Sequence, residues 1–179
     1  MDNAIFEYSS GVIEAALEKS SKVLVDGVSF SIAPGESLSV IGETGSGKTM
    51  TALSIMGLLP PNVSELGETV RLGGRVLCEA GRRGLLGLEI VYIPQNGHEF
   101  LNPSRRVRHH LYDSLKRAGV PKCGRAALAL EKLRGAGFET PEDVIDKYPF
   151  QLSGGMAQRV TIAISACSWA KLIIADEPT

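Results

Sequence analysis

Eight residues, Gly42-Glu43-Thr44-Gly45-Ser46-Gly47-Lys48-Thr49, fit the pattern G-x-x-x-x-G-K-[ST] without a gap. Glycines at 45 and 47 let the backbone curl until successive N–H groups face a polyphosphate. Lys48 then reaches the β- and γ-phosphates, and the Thr49 hydroxyl is a ligand for Mg²⁺. A second set of chemistry-bearing residues closes the chain, where apolar Leu172-Ile173-Ile174-Ala175 runs into Asp176 and Glu177. Asp176 at a strand end holds Mg²⁺ through water, opposite Thr49. Glu177 extends one residue further toward an attacking water, which makes it the candidate general base. Alone, an apolar strand ending in two acids is a weak signal. Downstream of a phosphate loop it supplies the carboxylate that a Mg-nucleotide site needs. The third set is Leu152-Ser153-Gly154-Gly155-Met156-Ala157-Gln158-Arg159. Ser153 is a good N-cap, and the two glycines behind it make a second anion-binding helix start. Two copies packed head to tail would let each Ser153-Gly154-Gly155 close over the nucleotide held by the other copy's Lys48, giving two sites per dimer.

These residues need elements to position them. Val28 to Ile32 alternates as a strand, and Ala33-Pro34-Gly35-Glu36 is a turn signal. Ser37 to Ile41 reads as a short apolar strand running into the glycine-rich turn, and a helix follows from Lys48 to about Leu58. Leu59-Pro60-Pro61-Asn62 stops that helix. Thr69 to Leu77 and Glu89 to Ile93 read as strands, the latter closed by Pro94. From Val107 to about Asp146, Leu111, Leu115, Leu128, Leu130 and Leu133 recur at helical spacing and predict a small helical subdomain. Gln151 to Gly155 opens a helix running to about Cys167, and Leu172 to Ala175 is a final apolar strand. Strands alternating with helices predict an α/β domain with a largely parallel sheet.

Composition removes several function classes. The chain has 179 residues, 19 Lys+Arg against 20 Asp+Glu, and a net charge of -1, which argues against a generic nucleic-acid binder living on basic charge. A hydrophobic content of 44% is that of a folded chain, and no apolar run approaches the ~18 residues a membrane-spanning helix needs. Cys78, Cys123 and Cys167 are scattered, without the spacing of a disulfide framework or a zinc site. The first ten residues lack the basic start and apolar stretch of a secretory signal. The chain stops directly after a strand that reads as core, so a truncated chain or incomplete record is expected.

The order Gly42 to Thr49, then Gln95 after a strand, then Leu152 to Arg159, then Leu172 to Thr179 resembles the ATP-binding subunit of ATP-binding cassette (ABC) transporters, from about Val23 onward. The resemblance implies a P-loop NTPase core of RecA-like, ABC type with a mainly parallel sheet, a small helical subdomain, and the C-terminal part of the core missing. It divides the chain into 1–95 (core with phosphate loop), 96–152 (helical subdomain) and 153–179 (signature helix and acidic strand). It implies ATP and Mg²⁺ as ligands. Nucleotide contacts fall on Gly42, Glu43, Thr44, Gly45, Ser46, Gly47, Lys48 and Thr49, with Ser153, Gly154 and Gly155 acting across a dimer. Mg²⁺ contacts fall on Thr49, Gln95 and Asp176, and catalysis on Glu177, Lys48 and Gln95. Leu101-Asn102-Pro103, Leu58-Leu59-Pro60-Pro61, Tyr148-Pro149-Phe150-Gln151 and Met156 are similar to the oligopeptide, dipeptide and nickel importer subfamily. The partners so implied are transmembrane permease subunits, a second ATP-binding subunit and, indirectly, an extracytoplasmic solute-binding protein, with no nucleic acid. The implied place is the cytoplasmic face of the inner membrane, as a peripheral protein.

The family expects an aromatic residue upstream of the phosphate loop to stack on adenine. Phe6 and Tyr8 are the candidates, with ordinary strand roles as the alternative. The family also continues beyond Asp-Glu-Pro-Thr to a dimer-contact loop, another core strand and a catalytic histidine. His98, His109 and His110 all precede the signature helix and do not substitute in order. The chain alone is therefore expected to bind nucleotide poorly and to hydrolyse it inefficiently. Arg105, Arg106, Arg108, His109 and His110 form a basic cluster, either a solvated face or a contact with permease helices or lipid headgroups. Two other functions stay open: a non-transport cassette, although the interval between phosphate loop and signature shows no sustained heptads, and a truncated, catalytically inactive cassette.

Overall fold

The computed structural model describes residues 4–17 and 20–176. It comprises two units, Met1–Leu85 and Leu86–Thr179.

The first unit is built on strand β1 (Phe6–Ala16). Its alternation buries Phe6, Tyr8 and Ser10 on one face, the period-two signature of a half-buried strand, and Ile13, out of that phase, is buried as well. β2 (Ser21–Ile32) pairs antiparallel with it from Phe6↔Ile32 to Ala16↔Ser21, with a register shift between Ile13 and Glu14. The other edge of β1 takes two short strands after helix α1 (Lys48–Met56). These are β3 (Val63–Leu66) and β4 (Thr69–Leu72), and β4 turns through Gly73-Gly74 into β5 (Arg75–Val76). Helix α2 (Glu79–Leu85) ends the unit.

The second unit pairs β6 (Ile90–Ile93) in parallel with β7 (Leu172–Ala175), from Ile90↔Leu172 to Ile93↔Ala175. Between them run α3 (Gly97–Phe100), α4 (Val107–Arg117), α5 (Arg125–Gly135), α6 (Glu142–Ile145) and α7 (Gly154–Ser165). Leu111, Leu115 and Leu133 are fully buried in one cluster with Val107, Phe138, Val160 and Ile164, and Leu128 and Leu130 pack against it. Each large apolar side chain buried there contributes roughly 1.5–3 kcal/mol. Cys167 ends this core; its buried thiol donates to the Ala163 carbonyl, and burial pushes its pKa up to about 11. Among the described residues no helix is long and apolar enough to cross a membrane.

Two expectations change. Among the described residues, parallel pairing joins β6 to β7, with one isolated parallel bridge between Leu86 and Ile90, and the larger sheet is antiparallel. β1 runs into β2, and β4 into β5, through connections short enough only for antiparallel neighbours. Residues 37–41 have no ladder partner, and Ile41 is 93% exposed. The run has strand propensity, but a strand exists only where a neighbour completes its hydrogen bonds.

Candidate nucleotide-binding site

The phosphate loop lies in the first unit. Ser46 N–H donates to the Glu43 carbonyl at 3.1 Å, a tight turn, and Gly45 and Gly47 have φ of +86° and +91°. Gly47 is doubly required. Besides its left-handed backbone, a Cβ there would stand 2.5 Å from Val25 Cγ2 and 2.9 Å from the Leu24 carbonyl oxygen. The loop is thus wedged against β2 as it enters α1. Lys48 Nζ folds back and donates to the carbonyls of Gly42 at 2.7 Å and Glu43 at 2.9 Å. The ammonium consequently sits at the mouth of the curled segment. Gly47 caps α1 and has no side chain of its own to hydrogen-bond the opening amides. A helix start of this kind has positive potential that an anion stabilises. Thr49 is exposed in the first turn of α1, and Gly42, Glu43, Thr44, Gly45 and Ser46 are exposed in the loop.

In the second unit, Gln95 and Asp176 both follow the carboxyl ends of the parallel pair β6 and β7. That edge is where ligands bind in α/β sheets. Asp176 N–H donates to the Ile93 carbonyl at 2.9 Å, and its Oδ2 accepts from the Tyr92 hydroxyl at 3.2 Å. Burial, with the Asp176 charge beside it, raises the Tyr92 pKa. Tyr92 thereby orients the carboxylate. The sequence reading gave it no role, since one tyrosine in an apolar strand carries no separate signal. Gln95 is exposed behind Pro94, and Asn96 caps α3 by accepting from His98 N–H at 3.1 Å. Glu177 lies outside the described residues.

Ser153 caps α7, its Oγ accepting from Met156 N–H at 3.3 Å. Gly154 and Gly155 are exposed, with no atom within 4 Å of where a Cβ would stand. Gly42 to Thr49 therefore form one loop in the first unit, while Gln95, Asp176 and Ser153 to Gly155 belong to the second.

The aromatic candidates are corrected. Phe6 is 1% and Tyr8 2% exposed, and both pack on Phe30, with centroids 6.1 and 5.5 Å away. Strand alternation turns them into the core, so neither stacks on adenine. The basic cluster is largely paired. Arg105 meets Asp113 at 2.7 Å, Arg106 and Arg108 both meet Asp146, and Arg106 lies over the Tyr148 ring.

The sequence profile of the ABC transporter family matches residues 25–179. The chain belongs to the ABC transporter family. This cassette is 39% identical over 159 residues to the dipeptide transport ATP-binding protein DppD of Escherichia coli, covering 87% of the chain and 49% of that protein. It is 36% identical over 172 residues to the nickel import ATP-binding protein NikD of Rhodospirillum rubrum, covering 94% and 64%. It is also 36% identical over 159 residues to the metal-staphylopine import system ATP-binding protein CntD of Staphylococcus aureus, covering 87% and 59%. The cassette thus spans about half to two thirds of the length of these relatives. Among solved structures it matches the ATP-binding cassette MJ0796, a dimer in a post-hydrolysis state bound to ADP and Pi. That match has a TM-score of 0.81 and 26% identity, covering 97% of this chain and 74% of MJ0796. A match to cbiO1 of Clostridium perfringens, with a TM-score of 0.74 and 18% identity over 98% and 66% of the two chains, supports the P-loop NTPase fold alone.

Proposed function

We propose that this cassette is the ATP-binding part of an importer motor that couples ATP binding and hydrolysis to uptake of peptides, nickel or a related small metal complex. The observation that carries the reading is the curled loop from Gly42 to Lys48, with its ammonium at the mouth and a glycine-capped helix start behind it. That arrangement fits a polyphosphate. The names of the dipeptide, nickel and metal-staphylopine relatives support the substrate class.

Lys48 neutralises phosphate charge, and the loop amides from Gly42 to Thr49 position the phosphates. The oxygens of Thr49, Gln95 and Asp176 suit a hard cation, and when bound Mg²⁺ supplies neutralisation of phosphate charge. The described residues hold no cluster of three or more acidic, histidine or cysteine ligands. Glu177 serves as general base toward water. In this reading 1–95 form the loop-bearing core, 96–152 the helical subdomain, and 153–179 the signature helix and acidic strand. Ser153, Gly154 and Gly155 meet the nucleotide of a second ATP-binding subunit, as the dimeric state of MJ0796 supports. Permease subunits at the cytoplasmic membrane face are the partners, with a solute-binding protein acting through them.

Titration of the chain with a fluorescent ATP analogue tests the reading. Saturable, Mg²⁺-dependent binding that weakens about tenfold or more in Lys48→Ala is expected, since a charge-assisted contact is worth roughly 1.5–3 kcal/mol. Equal affinity in the two proteins would remove the loop from nucleotide binding.

A further inference from the structure

The loop that carries Gln95 is tied to the helix that carries Ser153. Gln158 stands in α7, two positions beyond Met156, whose amide Ser153 caps. Its side chain is buried, 6% exposed, and Nε2 donates to the Pro94 carbonyl at 3.1 Å. Pro94 immediately precedes Gln95, so the bond holds the backbone from which Gln95 departs. Gln158 Oε1 is buried and has no hydrogen-bond partner. A buried amide with an unpaired oxygen is a costly space-filler, and its N–H is what it adds over an apolar side chain of equal length. The far side of the loop is pinned too. A Cβ on Gly97 would lie 2.6 Å from both the Ala157 carbonyl carbon and the Gln158 nitrogen. Only glycine lets the start of α3 rest on the α7 main chain. Gln95 therefore hangs between two anchors, Pro94 and Gly97, both set on the same turn of α7.

We propose that Gln158 is a positioning residue for Gln95: through the Pro94 carbonyl, and with Gly97 as the second anchor, it makes the Gln95 loop move with the α7 turn that begins at Ser153. This rests on the reading that Gln95 and Ser153 both serve nucleotide sites. It then follows that engagement of Ser153 by one nucleotide is transmitted to Gln95 through one rigid segment.

Hydrogen–deuterium exchange on the nucleotide-free chain tests the link. Gln158→Met, which keeps the length and removes the donor, should speed exchange of the 95–98 amides about fivefold. Gly97→Ala should do the same by forcing α3 off α7. Ser114→Ala removes a bond from Ser114 Oγ to the Ile164 carbonyl, 3.2 Å long at the other end of α7; it should leave the 95–98 amides unchanged. Transmission is read by a cycle. Ser153→Ala should speed 95–98 exchange in the otherwise native chain and add less than about twofold in the Gln158→Met background. An equal increment in both backgrounds, or loop exchange that responds to Ser114→Ala as it does to Gln158→Met, overturns the proposal. No nucleotide is present in the cycle. Loss of ATP-analogue binding would thus fail the parent reading separately, without altering this result.

Discussion

Helices α1 and α7 both begin at glycine-rich turns, but the turns are built oppositely. At α1 the cap is Gly47 in a left-handed conformation, which has no side chain to meet the first amides, and Lys48 folds back over the loop carbonyls. At α7 the cap is Ser153 in an extended conformation, and its own hydroxyl accepts from Met156 N–H. The cap residue of the first start offers no acceptor of its own, and steric contact with Val25 and Leu24 fixes its shape. The second is self-capped, and its glycines face open space. Tight sterics at one start and openness at the other suit a loop that holds a ligand and a surface that closes over one.

The far ends of the two helices differ as well. α1 ends in a polar network. The Ser54 hydroxyl and the Tyr8 hydroxyl both donate to Glu65, Glu65 and Glu68 share a hydrogen bond, and Arg82 reaches Glu68 at 2.7 Å and the Ser54 carbonyl at 2.9 Å. Burial and the hydrogen bond with Glu65 push the Glu68 pKa up to about 7. Glu65 is lowered; burial opposes this, but the hydrogen bonds it accepts from Glu68, Ser54 and Tyr8 outweigh it. α7 ends instead in the apolar helical core.

The contrast is open to disruption, beginning with its largest effect. Gly47→Val places a branched side chain at a φ of +91° and against Val25, and should cost about 3 kcal/mol or more in urea unfolding of the chain. A loss below about 1 kcal/mol would mean the loop is not wedged. Lys48→Ala should lower ATP-analogue affinity by ten- to a hundredfold, roughly 1.4–2.8 kcal/mol, with unfolding unchanged.

A smaller effect concerns pH. A carboxyl with a raised pKa binds its proton more tightly in the folded state, so its contribution is full below about pH 4.5 and is lost as pH rises through about 7. Stability should therefore fall between about pH 5 and 7.5, and Glu68→Gln should flatten that slope. The lowered Glu65 acts below its ordinary range and does not enter this window. An unchanged slope in Glu68→Gln, followed by urea unfolding at several pH values, would detach it from α1.

Smaller again is Ser153→Ala, expected to cost about 0.5–1 kcal/mol by loss of the cap. Gly155→Ala should be least, within about 1 kcal/mol and stabilising, because alanine favours helix and the space is open. If Gly155→Ala were as damaging as Gly47→Val, the two starts would not differ as described.

Much of this contrast was legible in the sequence. The glycine spacing before Lys48 and the Ser-Gly-Gly before α7 named both starts, and the leucine spacing from 111 to 133 named the helical core. What escaped depends on long-range pairing. β1 carries Ser9, Ser10 and Gly11 in its middle, which dilute strand propensity, and it exists because β2, β3 and β4 pair with it. β2 runs through Asp26-Gly27, a dipeptide that reads as a turn, because its register with β1 continues on both sides. Residues 69–77 read as one strand, and Gly73-Gly74 fold them into a hairpin. Gln158 sat inside a motif recognised for its neighbours. Its reach to Pro94, 64 residues away, leaves no periodic trace.

The position of Cys167 supplies an internal gauge. Cys78 and Cys123 are exposed and open to alkylation, whereas Cys167 is shielded and held protonated. The number of thiols that react with a small electrophile thus reports, molecule by molecule, whether the helices around α7 have come apart.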